Sequence, residues 1–140
     1  MLQLVTAFIG SLGFALLFGL RYRHLFFASL GGMFSWGVYL VINYSGDKVF
    51  LACLCASVFS MVYSEILARW HKCPSTLFII PSIIPLVPGS SLYYAMSYAV
   101  QGNTELAKFH GHQTVIWVLA IAAGISFTTA IRELNHKKNS

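Results

Sequence analysis

CPSTLFIIPSIIPLVPGSSLYYAMSYAVQGNT, residues 73–104, runs for thirty-two residues without one Asp, Glu, Lys or Arg and is interrupted by Pro81, Pro85 and the pair Pro88-Gly89. As one continuous helix it would measure roughly 48 Å, well beyond the roughly 30 Å hydrocarbon core of a bilayer. The segment is therefore expected to break. A break in lipid frees backbone N–H and C=O groups, which is tolerated only where protein or a watery cavity satisfies them. Transporters use such broken helices to build solute sites at membrane depth, so this stretch bears on fold and function together.

Working outward, the whole chain reads as a membrane protein. Of its 140 residues, 57% are hydrophobic and 9% charged, with a mean hydropathy of +0.71. A water-soluble domain of this size cannot hide that much apolar surface. A formal net charge of +5 and a pI near 9.3 would suggest nucleic acid in a soluble protein, but here the charges sit at the ends of apolar runs, where they set topology against anionic headgroups. Cys53, Cys55 and Cys73 make no case for a metal or a disulfide. The first two occupy alternate positions of an apolar run, which face apart on a helix, and they read as small buried thiols. Residues 1–20 lack a basic start and an Ala-x-Ala-like cleavage site before Arg21, so the first run is expected to stay in the membrane.

Five apolar runs emerge, at about 2–20, 25–44, 49–68, 74–100 and 114–131, each near or above the roughly 18 residues a span needs. The expected fold is an all-α polytopic bundle in one membrane domain, residues 1–140, with five transmembrane spans and the fourth broken at Pro85-Pro88-Gly89. Only the connection from Gln101 to Gln113 is long. Arg21, Arg23, Arg69, Lys72, Arg132, Lys137 and Lys138 fall on one side of this arrangement, while Lys48 and Lys108 fall on the other, accompanied by Asp47 and Glu105. The excess of Lys and Arg marks the cytoplasmic side, which places the N-terminus outside and the C-terminus in the cytoplasm. A re-entrant fourth run would move the basic tail outside, against that bias.

Small residues spaced by four suggest how the helices meet. Ala7, Ser11, Ala15 and Gly19 mark the first run, and Ala52, Ala56, Ser60, Ser64 and Ala68 the third. Shorter versions are Ala28 with Gly32, and Ala120 with Gly124 and Thr128. Such stripes let backbones approach closely, replacing the hydrophobic drive that lipid cannot supply. Trp36, Trp70, Trp117 and most tyrosines read as belt or packing residues.

The residues that could carry chemistry lie in and near the broken run. Pro85 and Pro88 lack a backbone donor and clash with the preceding turn, so Ile84 to Val87 is expected to be extended or irregular. Gly89 permits a sharp change of direction, and Ser90 or Ser91 can cap a second half-helix there. Free N–H groups at that start carry partial positive charge suited to a carboxylate, and freed carbonyls opposite suit an ammonium group or a cation. Ser82, Pro85, Pro88, Gly89, Ser90, Ser91 and Tyr94 are the candidate substrate-binding residues. The alternative is a proline-kinked span with no ligand. Glu65 is the one acid inside an apolar run, a position where acids often serve ion or proton pathways. Arg69, four residues on, offers it a plain helical ion pair instead. His110-Gly111-His112 reads as solvated loop histidines, since no Cys or carboxylate pair stands near to complete a metal site. There is no His-Glu-x-x-His, Gly-x-Ser-x-Gly or phosphate-binding Gly-Lys-Thr motif, and Ser126 has no base nearby in sequence. No catalytic residue, metal or cofactor is assigned.

The stretch from Tyr63 through Met96, with Glu65, Ala68-Arg69, Pro74, the Pro81 to Gly89 motif and the tyrosines after it, resembles the threonine/serine exporter family. The likeness is to its smaller, C-terminal type of module, which is also the small subunit of two-component exporters associated with succinate. The five-span length fits the whole chain, and the specific motif covers about a quarter of it. The resemblance implies a partner with five further spans and a soluble N-terminal region, encoded separately here. An outside start and inside finish would complement a partner half of inverted topology.

The resulting expectation is a subunit of a bacterial secondary transporter in the plasma membrane that exports a small carboxylate-bearing metabolite. Threonine or serine is the first choice and a dicarboxylate such as succinate the runner-up. A non-transporting assembly subunit is the competing class, and an intramembrane enzyme the least supported. Membrane lipid and the larger exporter subunit are the expected partners, with no nucleic acid.

Overall fold

Small side chains at every fourth position decide where these helices touch. The computed structural model describes residues 2–44, 46 and 48–138. Among them the regular structure is entirely helical: α1 (Leu2–Leu17), α2 (Tyr22–Tyr44), α3 (Val49–His71), α4 (Thr76–Ile83), a 3₁₀ turn (Ile84–Leu86), α5 (Gly89–Val100) and α6 (Thr104–Lys138). Asp47, the acid expected beside Lys48, lies outside the described residues. The apolar stripes face inward. Ala7, Ser11 and Ala15 of α1 are buried, as are Ala52, Ala56, Ser60, Ser64 and Ala68 of α3, Ala28 and Gly32 of α2, and Ala120, Gly124 and Thr128 of α6.

α2 is the hub, packing on α1, α3 and α4. Its glycine pair explains why. A Cβ on Gly31 would overlap Ser82 Oγ, and one on Gly32 would overlap Ser11 Oγ and lie 3.1 Å from the Pro81 carbonyl oxygen. Backbones meet there with no room for a side chain. The Ser35 and Ser60 hydroxyls hydrogen-bond across the α2–α3 seam, and Tyr63 donates to the Phe27 carbonyl at 2.9 Å. On the far side of α3, a Cβ on Gly124 of α6 would overlap Ser57 Oγ.

Contacts between α3 and α6 also settle a question of topology. Ser57 meets Gly124, and Glu65 meets Arg132, so the two helices run in the same direction with one sequence offset. A re-entrant α4–α5 hairpin would return the chain to its starting end and force α6 antiparallel to α3. Instead α4 and α5 carry the chain from one end of the bundle to the other as a single broken path, bent by 52°. Consequently Arg21, Arg23, Arg69, Lys72, Arg132 and Lys137 gather at one end, and Lys48 and Lys108 at the other.

Several boundaries differ from the sequence expectation. Three helices, α2, α3 and α6, are long and apolar enough to cross a membrane, four crossings if α4 and α5 count as one. The count of five needs α1 as well. The described α1 stops at Leu17 because Gly19 adopts φ +66°, and the N–H groups of Gly19 and Leu20 close on the Leu16 and Ala15 carbonyls at 2.9 and 3.1 Å. That is a Schellman ending, and it leaves Gly19 exposed rather than in the packed stripe. The expected long loop of residues 101–113 is also replaced. Gly102, at φ +76°, ends α5, and Asn103 accepts from the Leu106 N–H at 3.4 Å to start α6. His110-Gly111-His112 is therefore helical, on an α6 that begins at Thr104 rather than near residue 114. At 35 residues, α6 measures about 52 Å and extends beyond a hydrocarbon core.

Candidate substrate site at a broken helix

The break forms from proline chemistry. Pro81 sits inside α4, Pro85 stands in the 3₁₀ turn, and Val87 is extended at φ −64°, ψ 126° before Pro88. Ile84 to Leu86 are thus wound tightly rather than extended as expected, because Pro85 near the start of the turn has the fixed φ that a 3₁₀ turn needs and leaves unmade only a donor that would be unpaired there. Leu86 is fully buried and pins the turn to α2. α5 then starts at Gly89 with Pro88 at its N-cap and no side-chain hydrogen bond to cap it. Ser90 and Ser91 lie inside its first turn, so the expected serine cap is replaced by a proline that cannot accept through its side chain. The Gly89 N–H closes on the Val87 carbonyl at 2.8 Å, which leaves the N–H groups of Ser90 and Ser91, in the first turn of α5, for a ligand.

α4 and the 3₁₀ turn together advance about 18 Å from Thr76, and α5 adds about as much again, so the start of α5 lies about halfway along their joint path. A Cβ on Gly89 would meet no atom within 4 Å, so the backbone there borders open space. Gly89 and Ser90 are exposed, Ser91 is half-buried and Pro88 is buried. Pro85 instead lines a separate crevice of about 310 Å³ with Gln3, Thr6, Ala7 and Trp36. Ser82 is fully buried in the α2–α4 seam, and its hydroxyl donates to the Phe78 carbonyl at 2.7 Å. Tyr94, on α5, packs on Tyr98 and on His110 of α6, with the His110 ring centroid 5.5 Å away. The structure therefore groups Gly89, Ser90 and Ser91 in one turn, with Tyr94 a turn further along α5, and does not bring Ser82 or Pro85 to it.

Glu65 lies elsewhere. It is paired with Arg132 of α6, Oε1 to Nη1 at 3.5 Å, and not with Arg69, the partner expected from the helical spacing. Arg69 projects from the exposed side of α3, whereas Glu65 faces the seam that α6 fills. A signal for this was present. The stripe Ala120, Gly124, Thr128 reaches Arg132 at its next step of four, and Ser57, Met61 and Glu65 form the matching row on α3. A second cluster escaped sequence reading: His24, His71 and Phe78 pack edge-on at the basic end, with His24 and His71 ring centroids 4.8 Å apart. These residues come from three different helices, and nothing local in the sequence joins them.

A family model described as Threonine/Serine exporter, ThrE, matches residues 3–131. The chain belongs to the threonine/serine exporter family. The match covers nearly all of the sequence, whereas the recognisable motif spans only Tyr63 to Met96. This exporter-type module is thus a multi-pass membrane protein of a transporter family rather than of an enzyme class. No solved structure matches it.

Proposed function

We propose that this chain is a subunit of a secondary exporter in the bacterial plasma membrane, with threonine or serine as substrate. The observation that carries the reading is the uncapped start of α5, bordering open space about halfway along the path of α4 and α5. The Ser90 and Ser91 N–H groups there complement a substrate carboxylate, with their hydroxyls beside them, Pro85 and Pro88 holding the break open, Tyr94 shaping a flank, and Ser82 fixing α4 against α2 behind the break. Glu65, the acid packed inside the α3–α6 seam, is the group through which an ion gradient would act. α1 supplies the fifth crossing, and the basic end of the bundle faces the cytoplasm with the C-terminus, leaving the N-terminus outside. A larger subunit with five further spans and a soluble N-terminal region completes the transporter, and rocking of the two halves exposes the site to either side.

Succinate is the second candidate, because a helix start accepts one end of a dicarboxylate as readily as an amino-acid carboxylate. Export of labelled threonine, serine and succinate from cells with and without this chain tests the assignment. Threonine or serine efflux should fall when the chain is absent. Replacing Ser90 and Ser91 with Leu should abolish efflux while the protein still assembles in the membrane; efflux at the wild-type rate would refute the site.

A further inference from the structure

At the basic end of the bundle, a crevice of about 350 Å³ opens between the last turns of α3, the connection into α4 and the end of α6. Its walls carry Glu65, Arg69, Lys72, Ser75, Thr76 and Arg132. The volume is at the small end of the roughly 300–1,000 Å³ typical of small-molecule sites. Three cations and one carboxylate share this space. Topology alone would account for the cations, but it gives no reason to hold an acid among them so incompletely satisfied.

The Glu65 side chain is only 13% exposed, and its Oε1 has no hydrogen-bond partner although it stands 3.5 Å from Arg132 Nη1. A charge-assisted N–H···O bond is shorter, roughly 2.7–2.9 Å, and a buried carboxylate ordinarily collects donors. Glu65 lines the crevice, and its buried Oε1 is an unmet acceptor. The cations retain donor capacity, because one carboxylate cannot neutralise Arg69, Lys72 and Arg132. Lys72 adds a further observation. It ends α3 at φ +51°, the one left-handed non-glycine residue among the described residues, where glycine would fit without steric cost. The position keeps an ammonium group on the crevice wall. Ser75, at the N-cap of α4, makes no side-chain capping bond, so its hydroxyl is free.

We propose that this crevice is a loading site for a zwitterionic α-amino acid, whose ammonium group binds Glu65 and whose carboxylate binds Arg132 and Lys72. Ser75 and Thr76 supply partners for a side-chain hydroxyl. The inference rests on the exporter reading above and deepens it, since it selects an amino acid over a dicarboxylate. Succinate has no ammonium group to fill the acceptor on Glu65 and would bring a second negative charge toward it. A lipid phosphate would satisfy the cations but leave Glu65 as it is.

The test is equilibrium binding of labelled threonine to the full chain in lipid nanodiscs, with unlabelled competitors. Threonine should displace the label, while threonine methyl ester, 3-hydroxybutyrate, succinate and a short-chain phosphatidylglycerol should each compete about tenfold or more less well, the loss expected for a missing charge-assisted contact. Glu65→Gln should weaken threonine about tenfold and leave 3-hydroxybutyrate unchanged. Lys72→Gly should weaken both, with a melting temperature at or above that of the wild type, which separates loss of the charge from loss of the fold. Failure of the wild type to bind threonine, equal threonine affinity in both variants, or stronger competition by succinate or the lipid would each overturn the site. Threonine uptake into inside-out vesicles distinguishes the two readings. With the larger subunit co-expressed, an unchanged KM in Lys72→Gly removes the loading site and leaves the exporter; the predicted binding pattern without any uptake supports the site and removes the exporter.

Discussion

Replacing Gly124 with Ala tests the α3–α6 contact on which the crossing of α4–α5 and the Glu65–Arg132 pair both depend. The new Cβ would overlap Ser57 Oγ and lie 2.9 Å from the Leu54 carbonyl oxygen and 3.1 Å from Ser57 Cβ. Ser57 Oγ could rotate, at the cost of its 2.8 Å hydrogen bond to that same carbonyl, but the carbonyl is backbone and cannot give way. α6 must withdraw by about half an ångström to restore ordinary contact, and overpacking of this kind costs about 1–3 kcal/mol. Gly111→Ala, in the same helix, is the control. Its Cβ would meet nothing within 4 Å, so the helix gains only the propensity difference, about 0.8–1.0 kcal/mol. One substitution at two places in one helix should thus have opposite signs. With about 3 °C of melting temperature per kcal/mol, the two purified variants should separate by roughly 5–12 °C in a detergent-solubilised thermal melt. A Gly124→Ala protein that melts at or above the wild type, or two variants that shift together, would refute the packing argument.

A double-mutant cycle on Ser35→Ala and Ser60→Ala should give a coupling of about 0.6–1.7 kcal/mol in unfolding measurements, the range for polar contacts between membrane helices. Tyr63→Phe removes the donor to the Phe27 carbonyl and should cost about 0.5–1.5 kcal/mol by the same assay. Replacing Pro85 and Pro88 together with Ala restores two backbone donors, so the 52° bend should relax and threonine efflux should fall while membrane insertion, read by a C-terminal reporter, is retained. That reporter should show a cytoplasmic C-terminus in the wild type; an external one would overturn the assigned orientation.

The helix-packing surfaces were legible in the sequence because their signal is local and periodic: Ala52, Ala56, Ser60, Ser64 and Ala68 are buried along one face of α3. The break was legible for a similar reason, since Pro85 and Pro88 act on their own backbone. What sequence reading missed arose from competition between local rules. Ser90 and Ser91 are good caps, but Pro88 before Gly89 sets the start of α5 ahead of them. Thr104 to Gln113 is polar enough to resemble a loop, yet Gly102 and Asn103 carry the stop and start signals of two helices, and a helix leaving the bilayer has no need of apolar residues. Glu65 has a suitable cation four residues away, but tertiary contact with α6 provides another at the same depth. Of the candidate site, the turn of Gly89, Ser90 and Ser91 was readable; the crevice around Arg132 required knowing which helices lie side by side.

The length of α6 has a mechanical consequence. Gly124 is where this beam meets α3 with no room for a side chain, about 12 Å from Arg132 along the axis and about 21 Å from His110. With that contact as fulcrum, a tilt of 10° would carry the two ends in opposite senses by about 2 and 4 Å. Opening the charged crevice at one face would then press His110 toward or away from the tyrosines of α5 at the other, so a single rigid lever links the two mouths of the bundle.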